Sequence, residues 1–174
     1  MKLKQLIDET NCILNDQASI NIDKLKKLYS NPIDDWQNYI ILKENYTRSL
    51  VHKNDNFQLI IMTWPGNFES FIHDHNNNEC LFKVLKGKFT EFIYQQKDDK
   101  LELTNSRKIV TNQIGNINDD YGYHSVKNDT SNYAVSIHLY VKTKQTLDID
   151  QVNIFILDDK MNFNKKTIYL KYDN

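Results

Sequence analysis

From about residue 38 onward the chain breaks into short runs rich in β-branched and aromatic residues, each bounded by a turn-like segment. The runs are YIILKENYTRSLV, FQLIIMTW, ECLFKVL, KFTEFIYQQ, KLELTNSRKIV, NYAVSIHLYV, TLDIDQVNIFIL and KKTIYLKY. HKND, PGN, KG, QKDD, NDDYG, KNDTSN and DDKMN lie between them. Residues of this kind fit a pleated sheet surface, and their regular spacing predicts an antiparallel sandwich or barrel. The first 30 residues read differently. Leu3, Leu6, Ile7, Ile13 and Leu14 fall near helical spacing. Asn21 or Asp23 can cap a second helix carrying Leu25 and Leu28, which Asn31-Pro32 ends. Trp36 is expected to anchor this helical part on the β-rich remainder.

A length of 174 residues suits one domain with a real core. The expectation is a single domain over 1–174, helical over 1–37 and a barrel over 38–174. Basic and acidic residues number 22 and 23, so the net charge of −1 gives no support for nucleic-acid or anionic-membrane partners. No stretch approaches the roughly 20 apolar residues of a membrane span. The N-terminal MKLKQLIDETNCILND lacks a signal peptide's apolar core, so the chain reads as cytoplasmic. No long hydrophobic surface helix is evident, which favours a monomer. Cys12 and Cys80 are too few for a disulfide framework, and Cys12, on a helix, reads as a small buried hydrophobe. Of the 22 basic residues only Arg48 and Arg107 are arginines. An arginine against this lysine background stands out as required.

The stretch FIHDHNNNEC carries the chemistry. On a strand, alternate residues share a face, so His73 and His75 point one way and Asp74 the other. That makes a two-point metal clamp. His124 comes after the turn N-D-D-Y-G-Y and stands where a facing strand could supply a third ligand. Three histidines with open positions suit a catalytic first-row metal; a surface histidine in a loop would look the same at 124. His52, in HKND, reads as solvated. In SIHLY, alternation puts Ser136, His138 and Tyr140 on one face. Buried, they would need one another as partners; on a half-exposed strand they would simply meet water.

The spacing around these histidines fits the cupin pattern G-x5-H-x-H-x3-4-E-x6-G, with departures. Gly66 lies one residue too far from His73, leaving Asn67 in the glycine slot, and asparagine tolerates a left-handed turn. Cys80 occupies the glutamate slot, and Glu79 misses the register by one, which turns it to the opposite strand face. A second motif stands as Gly122-Tyr123-His124 with Asn128. With Cys80 in that slot the chain resembles the cysteine dioxygenase family over roughly residues 45–140. The resemblance is carried by Tyr46-Thr47-Arg48, Trp64, Ser70 to His75, Cys80, Lys83-Val84-Leu85-x-Gly87, Tyr121 to Asn128, and Ala134 to Tyr140.

That resemblance implies a mainly β, jelly-roll cupin barrel with a short N-terminal helical segment. It implies one Fe(II) per chain held by His73, His75 and His124, O₂ as co-substrate, and no organic cofactor. The substrate implied is L-cysteine, oxidised to cysteine sulfinic acid, with Arg48 on its carboxylate and Tyr46 nearby. Cys80 would be joined to Tyr140 by a thioether bond, and Ser136 and His138 would form a relay that positions Tyr140. The family often has Ser-Pro-Pro where this chain has Val141-Lys142-Thr143. Two other readings share the same histidines: a dioxygenase for a related thiol such as 3-mercaptopropionate, and a non-catalytic metal-binding cupin that acts as a sensor. Relatives that use 3-mercaptopropionate tend to lack this arginine and this cysteine, so the resemblance, through Arg48 and Cys80, favours cysteine; a thiol lacking a carboxylate, such as cysteamine, would leave Arg48 without a partner.

Overall fold

The computed structural model describes residues 1–15, 20–143 and 148–173. Helix α1 (Leu3–Asn15) and helix α2 (Ile22–Tyr29) come first, then a 3-10 turn (Trp36–Tyr39). The predicted helical stretch at 16–19, and the start of the run TLDIDQVNIFIL at 146–147, lie outside the described residues. Asn21 caps α2, its side chain accepting the Lys24 N–H at 2.9 Å. The strands are β1 (Thr47–Lys53), β2 (Phe57–Trp64), β3 (Ile72–His73), β4 (Glu79–Lys86), β5 (Lys88–Lys97) and β6 (Lys100–Val110). They continue with β7 (Ile114–Ile117), β8 (Tyr123–Asn128), β9 (Ala134–Val141), β10 (Gln151–Leu157) and β11 (Phe163–Tyr169).

These strands form two antiparallel sheets. One has the order β1-β2-β9-β4-β7, the other β11-β10-β3-β8-β5-β6. The first sheet is buried on both faces, and this decides where the functional side chains point. Along β9, Val135, Ile137, Leu139 and Val141 join Leu6, Leu25 and Tyr29 of the helices in one apolar cluster. The alternate residues Ala134 and Tyr140 belong to a second cluster with Met62, Trp64, Cys80, Phe82 and Phe89, between the sheets. Period-two alternation therefore sends Ser136 and His138 inward too, where both are buried. The solvated alternative for that face does not apply, because the helices cover the other side. Burying side chains such as Leu6 and Leu25 stabilises the fold by about 1.5–3 kcal/mol each, which is what makes the helices a lid on this sheet.

Several expectations need correction. Cys12 is exposed on the outer face of α1. The first run becomes a strand only at Thr47; residues 40–46 connect the 3-10 turn to it. His52 lies on β1, not in a solvated loop, and its ring packs 5.0 Å from that of Phe57. A register shift between Leu50 and His52 explains this, because a bulge re-aims the side chain. Asn67 has φ +59°, the left-handed conformation expected of the slot it fills.

Candidate metal centre

His73 closes the short strand β3, which is paired on both sides: with Ile154 of β10 and with His124 of β8. His124 is thus the direct cross-strand neighbour of His73. His75 lies two residues beyond, in a loop fixed by Asp119. That carboxylate accepts the backbone N–H groups of His75 and Asn77, each at 2.7 Å. Burial raises the Asp119 pKa, but the bonds from His75 and from the Asn77 backbone outweigh it and hold the group below the ordinary carboxylate value. Asp74 faces Asn153 of β10 and accepts its backbone N–H at 2.8 Å. Gly122 opens the turn into β8 at φ +119°, where a Cβ would lie 2.3 Å from the Tyr94 carbonyl oxygen. No other residue type enters β8 at this point without strain.

The three rings converge. Their centroids are 5.4 Å (73–75), 4.5 Å (73–124) and 4.7 Å (75–124) apart, and one nitrogen of each lies within 4.8 Å of the others. His73 and His124 approach Nε2 to Nε2 at 3.1 Å. His73 uses Nδ1 on the Phe71 carbonyl at 2.9 Å, and His124 uses Nδ1 on the Glu91 carboxylate at 2.7 Å. Each of these Nδ1 atoms donates, so both Nε2 atoms carry lone pairs aimed at one another. Two lone pairs at that distance repel unless a cation stands between them. Two nitrogens at about 2.1 Å from a metal and at right angles would be about 3.0 Å apart, which matches. His75 is buried, and neither ring nitrogen has a hydrogen-bond partner; its Nδ1 is 3.6 Å from Asp119. A buried polar atom without a partner is costly, and a metal would satisfy it. The donor set and its geometry fit a divalent first-row ion. Burial first, and then the neighbouring imidazoles, hold His73 and His124 well below the ordinary imidazole pKa, so both are neutral and ready to ligate.

The remaining site residues lie around this cluster. Arg48, buried on β1, lines the same pocket as His73, His124, His138 and Tyr140, and its Nε has no partner. Its guanidinium is 5.9 Å from the Tyr140 ring centroid. The Tyr140 ring is in turn 6.3 Å from that of His75. Tyr46 lines the pocket and stacks on Trp64 at 5.3 Å. The Trp64 indole N–H donates to Ser136 Oγ at 2.8 Å, and Ser136 Oγ is 2.8 Å from His138 Nε2. His138 lies against Tyr140 at 6.0 Å, nearly parallel, with its Nδ1 unpartnered. Burial, then Arg48, hold His138 well below the ordinary imidazole pKa. Cys80 and Tyr140 are directly opposite one another on β4 and β9, and both side chains belong to the apolar cluster between the sheets. Burial pushes both their pKa values up. Glu79, one residue from Cys80, accepts from Asn118 at 2.6 Å instead.

The model of the cysteine dioxygenase type I family matches residues 3–154. The chain belongs to this family. Membership carries a thiol dioxygenase-type function and a site able to bind metal. Solved structures agree on the fold. TT1209 from Thermus thermophilus is 11% identical, with a TM-score of 0.51 over 64% of this chain and 97% of that one. A double-stranded β-helix protein from Klebsiella pneumoniae is 13% identical, with a TM-score of 0.50 over 66% and 93%. A cupin superfamily protein from Desulfitobacterium hafniense is 8% identical, with a TM-score of 0.50 over 65% and 92%. At these identities the likeness establishes a cupin barrel and nothing finer. No curated protein matches the chain.

The sequence reading missed several residues that complete the site. Asp119 lay inside a stretch read only as a turn. Glu91 lay in a run read only as a strand, and Arg107, noted only for its rarity, was given no place in the site. Val152 and Ile154 of β10, Ile168 of β11 and Leu170 just beyond it form an apolar wall of the pocket. Alternation in QVNIFIL was a usable signal for Val152 and Ile154, and Ile168 and Leu170 alternate in the same way in KKTIYLKY.

Proposed function

We propose that this chain is an Fe(II)-dependent dioxygenase that converts L-cysteine and O₂ to cysteine sulfinic acid. The observation that carries the reading is Arg48: a buried guanidinium with a free Nε, opening on the same pocket as the three histidines. A buried arginine needs an anionic partner, and a forked donor suits a carboxylate. The substrate would bridge Arg48 and the histidines past Tyr140, which lies about 6 Å from each. A span of that order is the reach of a small amino acid.

His73, His75 and His124 would hold the iron, which would supply binding positions for the substrate sulfur and nitrogen and for O₂. Three imidazoles bring no negative charge of their own, leaving the full ionic charge to favour a substrate thiolate. The buried Tyr140 phenol stays protonated and donates a hydrogen bond into the pocket. Trp64, Ser136 and His138 form a bonded file behind it that fixes the ring it lies against. The apolar wall of Val152, Ile154, Ile168 and Leu170 excludes water from the reacting sulfur. Both oxygen atoms end on that sulfur, and the thiol supplies the electrons, so no external reductant enters.

The facing positions of Cys80 and Tyr140 support the thioether tether. Forming it breaks the Cys80 S–H and one ring C–H bond and makes an S–C bond; O₂ takes up the two electrons and two protons. The tether would lock the phenol where it is needed. The reading implies one Fe(II) per chain, no organic cofactor and a cytoplasmic monomer. It is tested by loading the protein anaerobically with Fe(II) and following O₂ uptake with L-cysteine, 3-mercaptopropionate and cysteamine. The expected order puts cysteine first. Preference for 3-mercaptopropionate would overturn the substrate assignment, and no uptake with any thiol would leave a metal-binding cupin.

A further inference from the structure

Arg107, the second of the two arginines, has no part in the pocket just described. It lies on β6 directly across from Glu91 of β5. Glu91 is fully buried. One of its oxygens accepts from His124 Nδ1 at 2.7 Å, and the other accepts from Arg107 Nε. Arg107 then donates through Nη2 to the Asn116 carbonyl at 3.0 Å. The register explains the contact: His124 faces Ile93 on β5, and Glu91 is its diagonal neighbour two residues away.

The three histidines are supported unequally. His73 rests on a neutral carbonyl. His75 has no hydrogen-bond partner on either ring nitrogen. Asp119 comes only to 3.6 Å from His75 Nδ1, whereas His124 Nδ1 is hydrogen-bonded to a carboxylate at 2.7 Å, which fixes its tautomer and makes Nε2 a stronger donor. The fold itself has little use for a charge here, since Phe89, Ile109, Ile117 and Val126 fill the surrounding interior. Buried ion pairs contribute little net stability compared with packed apolar residues. Cys80 stands where a cupin would keep a carboxylate ligand, and among the described residues the candidate ligand group is the three histidines alone.

We propose that Glu91 and Arg107 act as one positioning unit for the metal. Glu91 orients and strengthens His124 from behind, and Arg107 pins the carboxylate so that one oxygen faces Nδ1. The unit returns to the site, through an imidazole, the carboxylate influence that the ligand set lacks. Arg107 supplies the compensating charge and leaves the site's net charge unchanged.

This inference rests on the metal reading of the histidines and not on the substrate. It is tested with Co(II), whose visible bands report its ligands, bound to the metal-free chain. Glu91→Gln keeps the shape and removes the charge. It should weaken Co(II) binding roughly 10- to 100-fold and shift the bands. Arg107→Gln should weaken binding in the same sense, with Arg107→Lys recovering part of the loss. In the Glu91→Gln background, Arg107→Gln should add no more than about twofold, because the arginine acts through the glutamate. Should Glu91→Gln not fold, the Arg107 pair carries the test, since that side chain is partly exposed at the barrel's edge. Wild-type affinity in both single variants, or fully additive losses in the double, would overturn the proposal alone. A wild-type chain that binds no Co(II) would overturn the metal reading and this inference with it.

Discussion

Replacing Arg48 by lysine isolates the recognition of the substrate carboxylate. Lysine keeps the positive charge and much of the aliphatic stem but offers a point charge in place of a fork. In this site the guanidinium has one nitrogen free for the ligand and lies near the Tyr140 and Tyr172 rings at 5.9 and 6.0 Å. A lysine ammonium cannot lie against both rings and fork to a two-oxygen acceptor at once. The expected loss is one charge-assisted hydrogen bond, about 1.5–3 kcal/mol. That is roughly a 10- to 150-fold fall in kcat/KM for L-cysteine. Cysteamine, which has no carboxylate, should lose no more than about threefold, a margin that comes from the same loss of contact. The assay is initial O₂ uptake by the Fe(II)-loaded variants with both thiols across a range of concentrations. Equal losses on the two thiols would refute the reasoning, because they would mean that Arg48 supports the site and does not read the carboxylate.

The geometry fixes three further outcomes. Turnover with cysteine should lower the intact mass of the chain by two hydrogen atoms as Cys80 joins Tyr140, and Cys80→Ser and Tyr140→Phe should each abolish the change; an unchanged wild-type mass would contradict the tether. His73, His124 and His138 all have folded-state pKa values below the ordinary 6.5 of an unfolded histidine. The unfolded chain therefore binds more protons, and metal-free stability should be full above pH 6.5 and fall as pH drops below it, by about 1.4 kcal/mol per unit for each histidine; urea midpoints that stay flat down to pH 5.5 would count against buried neutral histidines. At φ +59°, Asn67→Gly should be tolerated, whereas Asn67→Ala should cost about 1–2 kcal/mol in chemical denaturation.

Much of the site was legible because its signals are local. His73 and His75 are two residues apart, Cys80 and Gly87 keep a fixed register, and β9 alternates cleanly, so spacing grouped the right side chains; the shared strand expected for the two histidines did not form, since β3 ends at His73 and a loop held by Asp119 brings in His75. β2 and β6 could be read for the same reason, and Asn21 as a cap because capping is a three-residue event. What stayed hidden depends on partners distant in sequence. Nothing near Glu91 in sequence says that its carboxylate meets His124, 33 residues away. The inward direction of Ser136, His138 and Tyr140 needed the helices on the opposite face. Ile114–Ile117 is too short and too polar to announce a strand, and it exists because β4 offers it an edge. Cys12 was misjudged by residue type alone, and His52 by a bulge that no composition rule foresees.

The central claim is that the pocket places both atoms of O₂ on the sulfur of cysteine. The direct test is turnover of the Fe(II)-loaded protein with L-cysteine under isotopically heavy O₂ in ordinary water, with the product weighed by mass spectrometry. The account predicts cysteine sulfinate carrying two heavy oxygens, one product formed per O₂ consumed. Product carrying one heavy oxygen or none, or cystine in place of the sulfinate, would contradict it.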